Sequence, residues 1–139
     1  MILKDSFYRI KGFSNTEKGV NFFIEFNSEH FIYKAHFPDN PITPGVCIIH
    51  IIKELLIETG VPALLIKKIP QVKFLNIIQP SENKEVTFSI SILSIENDTC
   101  KIGATVFCGN NIFAKLTMVI VNHHKFLPKH FKLYPIFTH

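Results

Sequence analysis

Along the second half of the chain, apolar and polar residues alternate with a period of two. Val86, Phe88, Ile90 and Ile92 interleave with Thr87, Ser89 and Ser91, which gives one strand a core face and a wet face. Ile102, Ala104, Val106 and Cys108 repeat the pattern after the turn Glu96-Asn97-Asp98. Leu116, Met118 and Ile120 repeat it within residues 112–121, after Gly109-Asn110-Asn111. Three long strands joined by short Asn/Asp/Gly turns make an antiparallel meander. In the first half the same alternation predicts shorter strands near residues 7–13, 20–26 and 31–34. A further strand is predicted over residues 72–78, ending at Pro80.

Between these runs the period changes, and a single helix is predicted over about residues 44–59. Its apolar residues, Val46, Ile48, Ile49, Ile51, Ile52, Leu55 and Leu56, leave so little polar face that the helix should be buried rather than half exposed. Thr43 offers a capping hydroxyl, Pro44 suits the first helical position, and Gly60 with Pro62 beyond it ends the run. One buried helix wrapped by an antiparallel sheet is an α+β arrangement.

Composition narrows the class without changing this picture. The chain has 139 residues, 47% of them apolar, enough for one domain with a real core and too apolar for a disordered chain. No run reaches the roughly 18 apolar residues that a membrane span needs; the nearest, residues 46–57, is interrupted by His50, Lys53 and Glu54. The start, Met1-Ile2-Leu3-Lys4-Asp5, lacks the basic-then-apolar layout of a secretory signal. Cys47, Cys100 and Cys108 are odd in number and have no metal-ligand spacing, so reduced thiols in a cytoplasm are expected. His123, His124, His130 and His139 fit no zinc pattern either. Neither a metal nor any other cofactor is expected.

The formal net charge of +4 is carried almost wholly by lysine, with Arg9 the one arginine. Nucleic-acid binders cluster their basic residues on one face. Here the lysines are spread, so a nucleic-acid partner is not expected. A mildly basic surface suits steering of an acidic partner.

The chemistry concentrates in His36-Phe37-Pro38-Asp39-Asn40-Pro41-Ile42-Thr43-Pro44-Gly45-Val46. Imidazole both takes and returns a proton near neutral pH. A helix start supplies backbone N–H groups without intrahelical acceptors, at the positive end of the dipole. A base beside such a helix start suits removal of a proton next to a carbonyl.

This segment resembles the active-site motif of the hot-dog-fold (3R)-hydroxyacyl-acyl-carrier-protein dehydratases. That motif runs His-Phe-Pro, two variable residues, then Pro-(Ile/Val)-x-Pro-Gly-Val and an apolar helix. Val72-Lys73-Phe74 and Pro80-Ser81-Glu82 extend the resemblance weakly. It covers about residues 5–122 and implies a hot-dog domain over 1–122, with 123–139 as a C-terminal extension. It also implies dehydration of 3-hydroxyacyl thioesters to trans-2-enoyl thioesters, on an acyl carrier protein or coenzyme A, in fatty-acid or related lipid synthesis.

By the resemblance His36 is the base, and the N–H groups of Gly45 and Val46 hold the thioester oxygen. Phe37 joins them in binding substrate. The family's acid lies five residues after the glycine, and that position is His50 here. Glu54 lies at i+4 from His50, on the same helix face, where it would orient a replacement acid. The family's tunnel lies between two subunits, one giving the histidine and the other the acid. A homodimer is therefore expected, or a heterodimer with a related subunit that supplies the missing carboxylate. Two alternatives stay open: an acyl-binding or partner subunit without catalysis of its own, and a thioesterase that uses Glu54 as its acidic residue.

Overall fold

A computed structural model of the chain describes residues 1–36, 38–61 and 65–122. Its six strands are β1 (Tyr8–Asn15), β2 (Gly19–Phe26), β3 (Ile66–Phe74), β4 (Glu85–Ile95), β5 (Thr99–Cys108) and β6 (Asn111–Val121). Two helices, α1 (Phe31–His36) and α2 (Gly45–Glu58), lie between β2 and β3. The strands form one antiparallel sheet in the order β1-β2-β4-β5-β6-β3. The predicted meander is β4-β5-β6. It pairs Phe88 with Val106 and Ala104 with Leu116, so like faces meet across the strands.

The core lies between one face of this sheet and α2. Phe22, Ile24, Phe88, Ile90, Ile102, Met118 and Ile120 are buried on the sheet side, with Ile51, Ile52, Leu55 and Leu56 on the helix side. Each of those helix side chains contributes about 1.5–3 kcal/mol by leaving water. The spacing Ile48, Ile51, Ile52, Leu55, Leu56 explains the choice of face, because i, i+3, i+4 and i+7 share one stripe. At the C-terminal end Gly60, at φ 87°, returns its N–H to the Ile57 carbonyl at 3.0 Å. This left-handed cap is open to glycine at little cost.

Four local expectations are corrected. Residues 31–34 belong to α1, not to a strand. His30 Nδ1 accepts the Ile32 N–H at 3.1 Å, and the Phe7 ring stacks on Tyr33 at 4.9 Å. Those contacts bury the adjacent residues Ile32 and Tyr33 together, which a strand would send to opposite faces. Thr43 does not cap α2. Its hydroxyl is 2.8 Å from the Tyr33 hydroxyl, and Pro44 occupies the cap position, so the first helical residue is Gly45.

The strand expected over 72–78 lies earlier, as β3, and spans Pro70. Proline is tolerated there because, among the described residues, β3 is an edge strand with one unpaired side. Finally, α2 is not buried all round. Val46 is 73% exposed and Ile57 is 53% exposed, one at each end, beyond the cover of the sheet.

A candidate active site at the start of the central helix

His36 is the last residue of α1, exposed, and without a hydrogen-bond or ion-pair partner among the described residues. The segment from there to α2 is held from two sides. The Thr43 N–H donates to the Ile78 carbonyl at 2.9 Å, and the Gln79 side-chain amide donates to Asn40 Oδ1 at 2.9 Å. Tyr33, reaching Thr43 from α1, ties the helix that carries His36 to the start of α2. Burial holds the Tyr33 hydroxyl well above its ordinary range, so it stays a neutral partner.

At the start of α2 the N–H groups of Cys47 and Ile48 both return to the Pro44 carbonyl, at 3.0 and 3.2 Å. Those of Gly45 and Val46 have no partner among the described residues, as first-turn donors do not. The Phe74 ring lies on Gly45. A Cβ there would stand 2.7 Å from its Cζ, so only glycine leaves the ring where it is. Cys47, two residues on, is buried, and burial pushes its thiol pKa up. It is a packed small hydrophobe rather than a nucleophile.

One turn further along, His50 Nε2 is 3.2 Å from Glu54 Oε2, which brings the expected pair together. The surroundings of that pair were not legible in the chain. Glu54 Oε1 accepts the Lys4 N–H and the Tyr8 hydroxyl, both at 2.9 Å. Its Oε2 accepts the Leu3 N–H at 2.7 Å besides His50. Four donors thus fill the four lone-pair sites of one carboxylate.

The same ring nitrogen of His50 lies 2.6 Å from the Met1 carbonyl. Burial first, and then the Glu54 charge, hold the Tyr8 hydroxyl far above its ordinary range, so it is the donor. Met1, Leu3, Lys4 and Tyr8 are the site residues that sequence reasoning missed. Leu3, Lys4 and Tyr8 are 46 to 51 residues from Glu54, and Met1 is 49 from His50; no spacing rule reaches that far.

A cavity of about 440 Å³ opens between this N-terminal segment and α2, lined by Met1, Ile2, Lys4, His50, Glu54 and Ile57 among others. His36 is not in its wall. Within one chain, no hydrogen bond among the described residues joins His36 to the His50–Glu54 pair. Phe37, expected to bind substrate, lies outside the described residues, as do Pro62 and the histidines and lysines of 123–139. No group of three or more His, Cys, Asp or Glu gathers as metal ligands among the described residues. No helix is long and apolar enough to cross a membrane among those residues either.

The family model described as "ApeI-like: ApeI dehydratase" matches residues 13–102. The fold is similar to a chain of the dehydratase heterocomplex ApeI:P from Xenorhabdus doucetiae. The TM-score there is 0.60 at 16% identity, covering 81% of this chain and 96% of that one. It is also similar to a thioesterase family protein from Silicibacter pomeroyi, with a TM-score of 0.56 at 12% identity and 84% of each chain covered. No curated protein matches the chain. At these identities the structural likeness establishes the fold, a hot-dog sheet and helix.

Proposed function

The chain belongs to the ApeI-like dehydratase family, and from that premise we propose that it dehydrates 3-hydroxyacyl thioesters to trans-2-enoyl thioesters. The observation that carries the reading is the span of the family match. Residues 13–102 include His36, Gly45, Val46, His50 and Glu54, the histidine and the bare helix start among them. His36 takes the C2 proton of the substrate, and the N–H groups of Gly45 and Val46 hold the thioester oxygen as charge develops on it. The C3–O bond then breaks, and the hydroxyl leaves as water with a proton given by the His50 imidazolium; His36 afterwards loses the C2 proton to solvent and His50 regains one. The acyl group is carried on an acyl carrier protein or coenzyme A.

His50 and Glu54 line a cavity whose wall does not include His36, which supports a two-subunit site in which one copy gives His36 and the other His50. Exposed apolar side chains beside the helix start support it too. Val46, Phe74, Leu75 and Ile77 all face solvent in the single chain, and among the described residues β3 has an unpaired edge that a second sheet would cover.

A second reading is favoured by His50 standing where the acyl-carrier-protein dehydratases that the motif resembles have a carboxyl. The chain would then be the partner subunit of a related, competent dehydratase. The similar chain from Xenorhabdus doucetiae belongs to a dehydratase heterocomplex, ApeI:P. Thioester hydrolysis through Glu54 is disfavoured, because its filled carboxylate has no lone pair to offer a water.

The test is the absorbance of a crotonyl or longer trans-2-enoyl carrier thioester incubated with the purified protein, with His36→Ala alongside. Signal loss that requires His36 and releases no thiol is the expected result. No turnover at any chain length would sink the catalytic reading, and co-purification of a related subunit from the native host would then support the second one.

A further inference from the structure

The geometry points to a divided imidazole at position 50: Nε2–H is committed to the Met1 carbonyl and Glu54, so His50 exchanges protons with a substrate only through Nδ1. A backbone carbonyl oxygen at 2.6 Å from Nε2 and a carboxylate oxygen at 3.2 Å can only accept. Between two acceptors this nitrogen must carry hydrogen, in the neutral ring as in the imidazolium. Nδ1 has no hydrogen bond among the described residues, and the ring borders the cavity between α2 and the N-terminal segment.

Two consequences follow for proton transfer. Neutral His50 presents a lone pair at Nδ1 and acts as an acceptor. Imidazolium His50 presents Nδ1–H, the proton that the departing hydroxyl would take, while the positive ring stays against the Glu54 carboxylate. The N-terminal segment is therefore part of the site. The Met1 carbonyl holds the ring directly. Glu54 holds it from the helix and is itself held by the Leu3 and Lys4 N–H groups and Tyr8. Glu54 and the Met1 carbonyl are positioning groups that act through His50, and the ring is the part that would meet substrate.

The use of Nδ1 in dehydration rests on the proposed function, but the tautomer itself does not, so the two can fail separately. Long-range ¹⁵N–¹H correlation spectra of ¹⁵N-histidine-labelled protein, with the His50 signals identified by their loss in His50→Gln, read the tautomer directly. With the ring neutral, the expected pattern is a protonated Nε2 and an unprotonated Nδ1. A protonated Nδ1 would overturn the assignment, whether or not the protein turns over.

The second arm uses amide mimics. Glutamine at 50 puts an N–H donor where Nε2 stands and has nothing at Nδ1. His50→Gln should therefore keep the melting temperature within about 2 °C of wild type while enoyl-thioester turnover falls at least a hundredfold. Turnover within threefold of wild type would overturn the role of Nδ1. A wild type without turnover would remove the dehydratase reading and leave the tautomer to be decided by the spectra.

Discussion

Glu54 is the residue around which the site side of α2 is organised, and its value is set by how completely it is satisfied. A carboxylate with four donors holds the N-terminal segment to the helix, and removing its acceptors strands two backbone N–H groups and a buried tyrosine. Glu54→Gln keeps the shape but turns a donor toward donors. The expected cost is about 2–3 kcal/mol, read as a lower urea midpoint at unchanged m-value.

The thiols follow burial in the same way. Cys100 is pushed up to about 11 by burial and Cys47 is also raised, while Cys108 is exposed. At pH 8 the native protein should show one fast thiol toward a disulfide reagent, and three after denaturation. Fast reaction of two or three native thiols would contradict this packing. For Cys100 the unfolded thiol ionises near 9.0 and the folded one near 11. The stability tied to its neutral form is therefore complete below about pH 9 and declines as pH rises toward 11.

At the level of elements, two glycines separate folding from function. Gly19 opens β2 opposite Ser91. A methyl there would fall on the Ile90 carbonyl oxygen and 2.7 Å from the Ser91 Cα, backbone that cannot step aside. Gly19→Ala should cost about 3 kcal/mol, visible in thermal melts. Gly45 meets only the tip of the Phe74 ring, on a side chain that is half exposed and free to swing. Gly45→Ala should change stability by less than about 1 kcal/mol, since alanine favours helix. It should nevertheless lower kcat/KM about tenfold, by putting a methyl and a displaced ring at the oxyanion site. Equal losses in both measurements would mean that Gly45 is needed for packing alone.

These elements also show how far local pattern reaches. The long strands β4, β5 and β6 carry their period-2 faces openly in Phe88, Ile102 and Met118. The stripe of α2 is equally plain. In α1 the run Phe31-Ile32-Tyr33 reads as a strand by local preference. It is helical because Phe7 and Thr43, distant in sequence, take Tyr33 into the core.

For the whole molecule, the question is what covers the apolar surface at the end of β3. Leu75 and Ile77 are each at least half exposed, more than scattered surface residues explain when they adjoin Phe74, Val46 and a sheet edge that is open among the described residues. Sedimentation should show a species heavier than the 15.9 kDa chain, either a dimer of itself or a complex with a related subunit. Leu75→Asp should shift it toward monomer and, if the site spans two subunits, abolish turnover in the same step. A wild type that is monomeric at all concentrations, yet active, would contradict the two-subunit site.

The sequence by itself determined the α+β framework, through periodicity that depends only on neighbours along the chain, and the hot-dog reading through a resemblance of motif. It also determined the segment from His36 to Val46 and the His50–Glu54 spacing, because a motif and an i+4 pair are local features. Only the tertiary structure decided that Glu54 is filled by Leu3, Lys4 and Tyr8. It alone placed Nε2 of His50 against the Met1 carbonyl. Those contacts join residues about fifty positions apart. They exist because burying α2 under the sheet brings the chain's first strand and its leading segment across the same helix face.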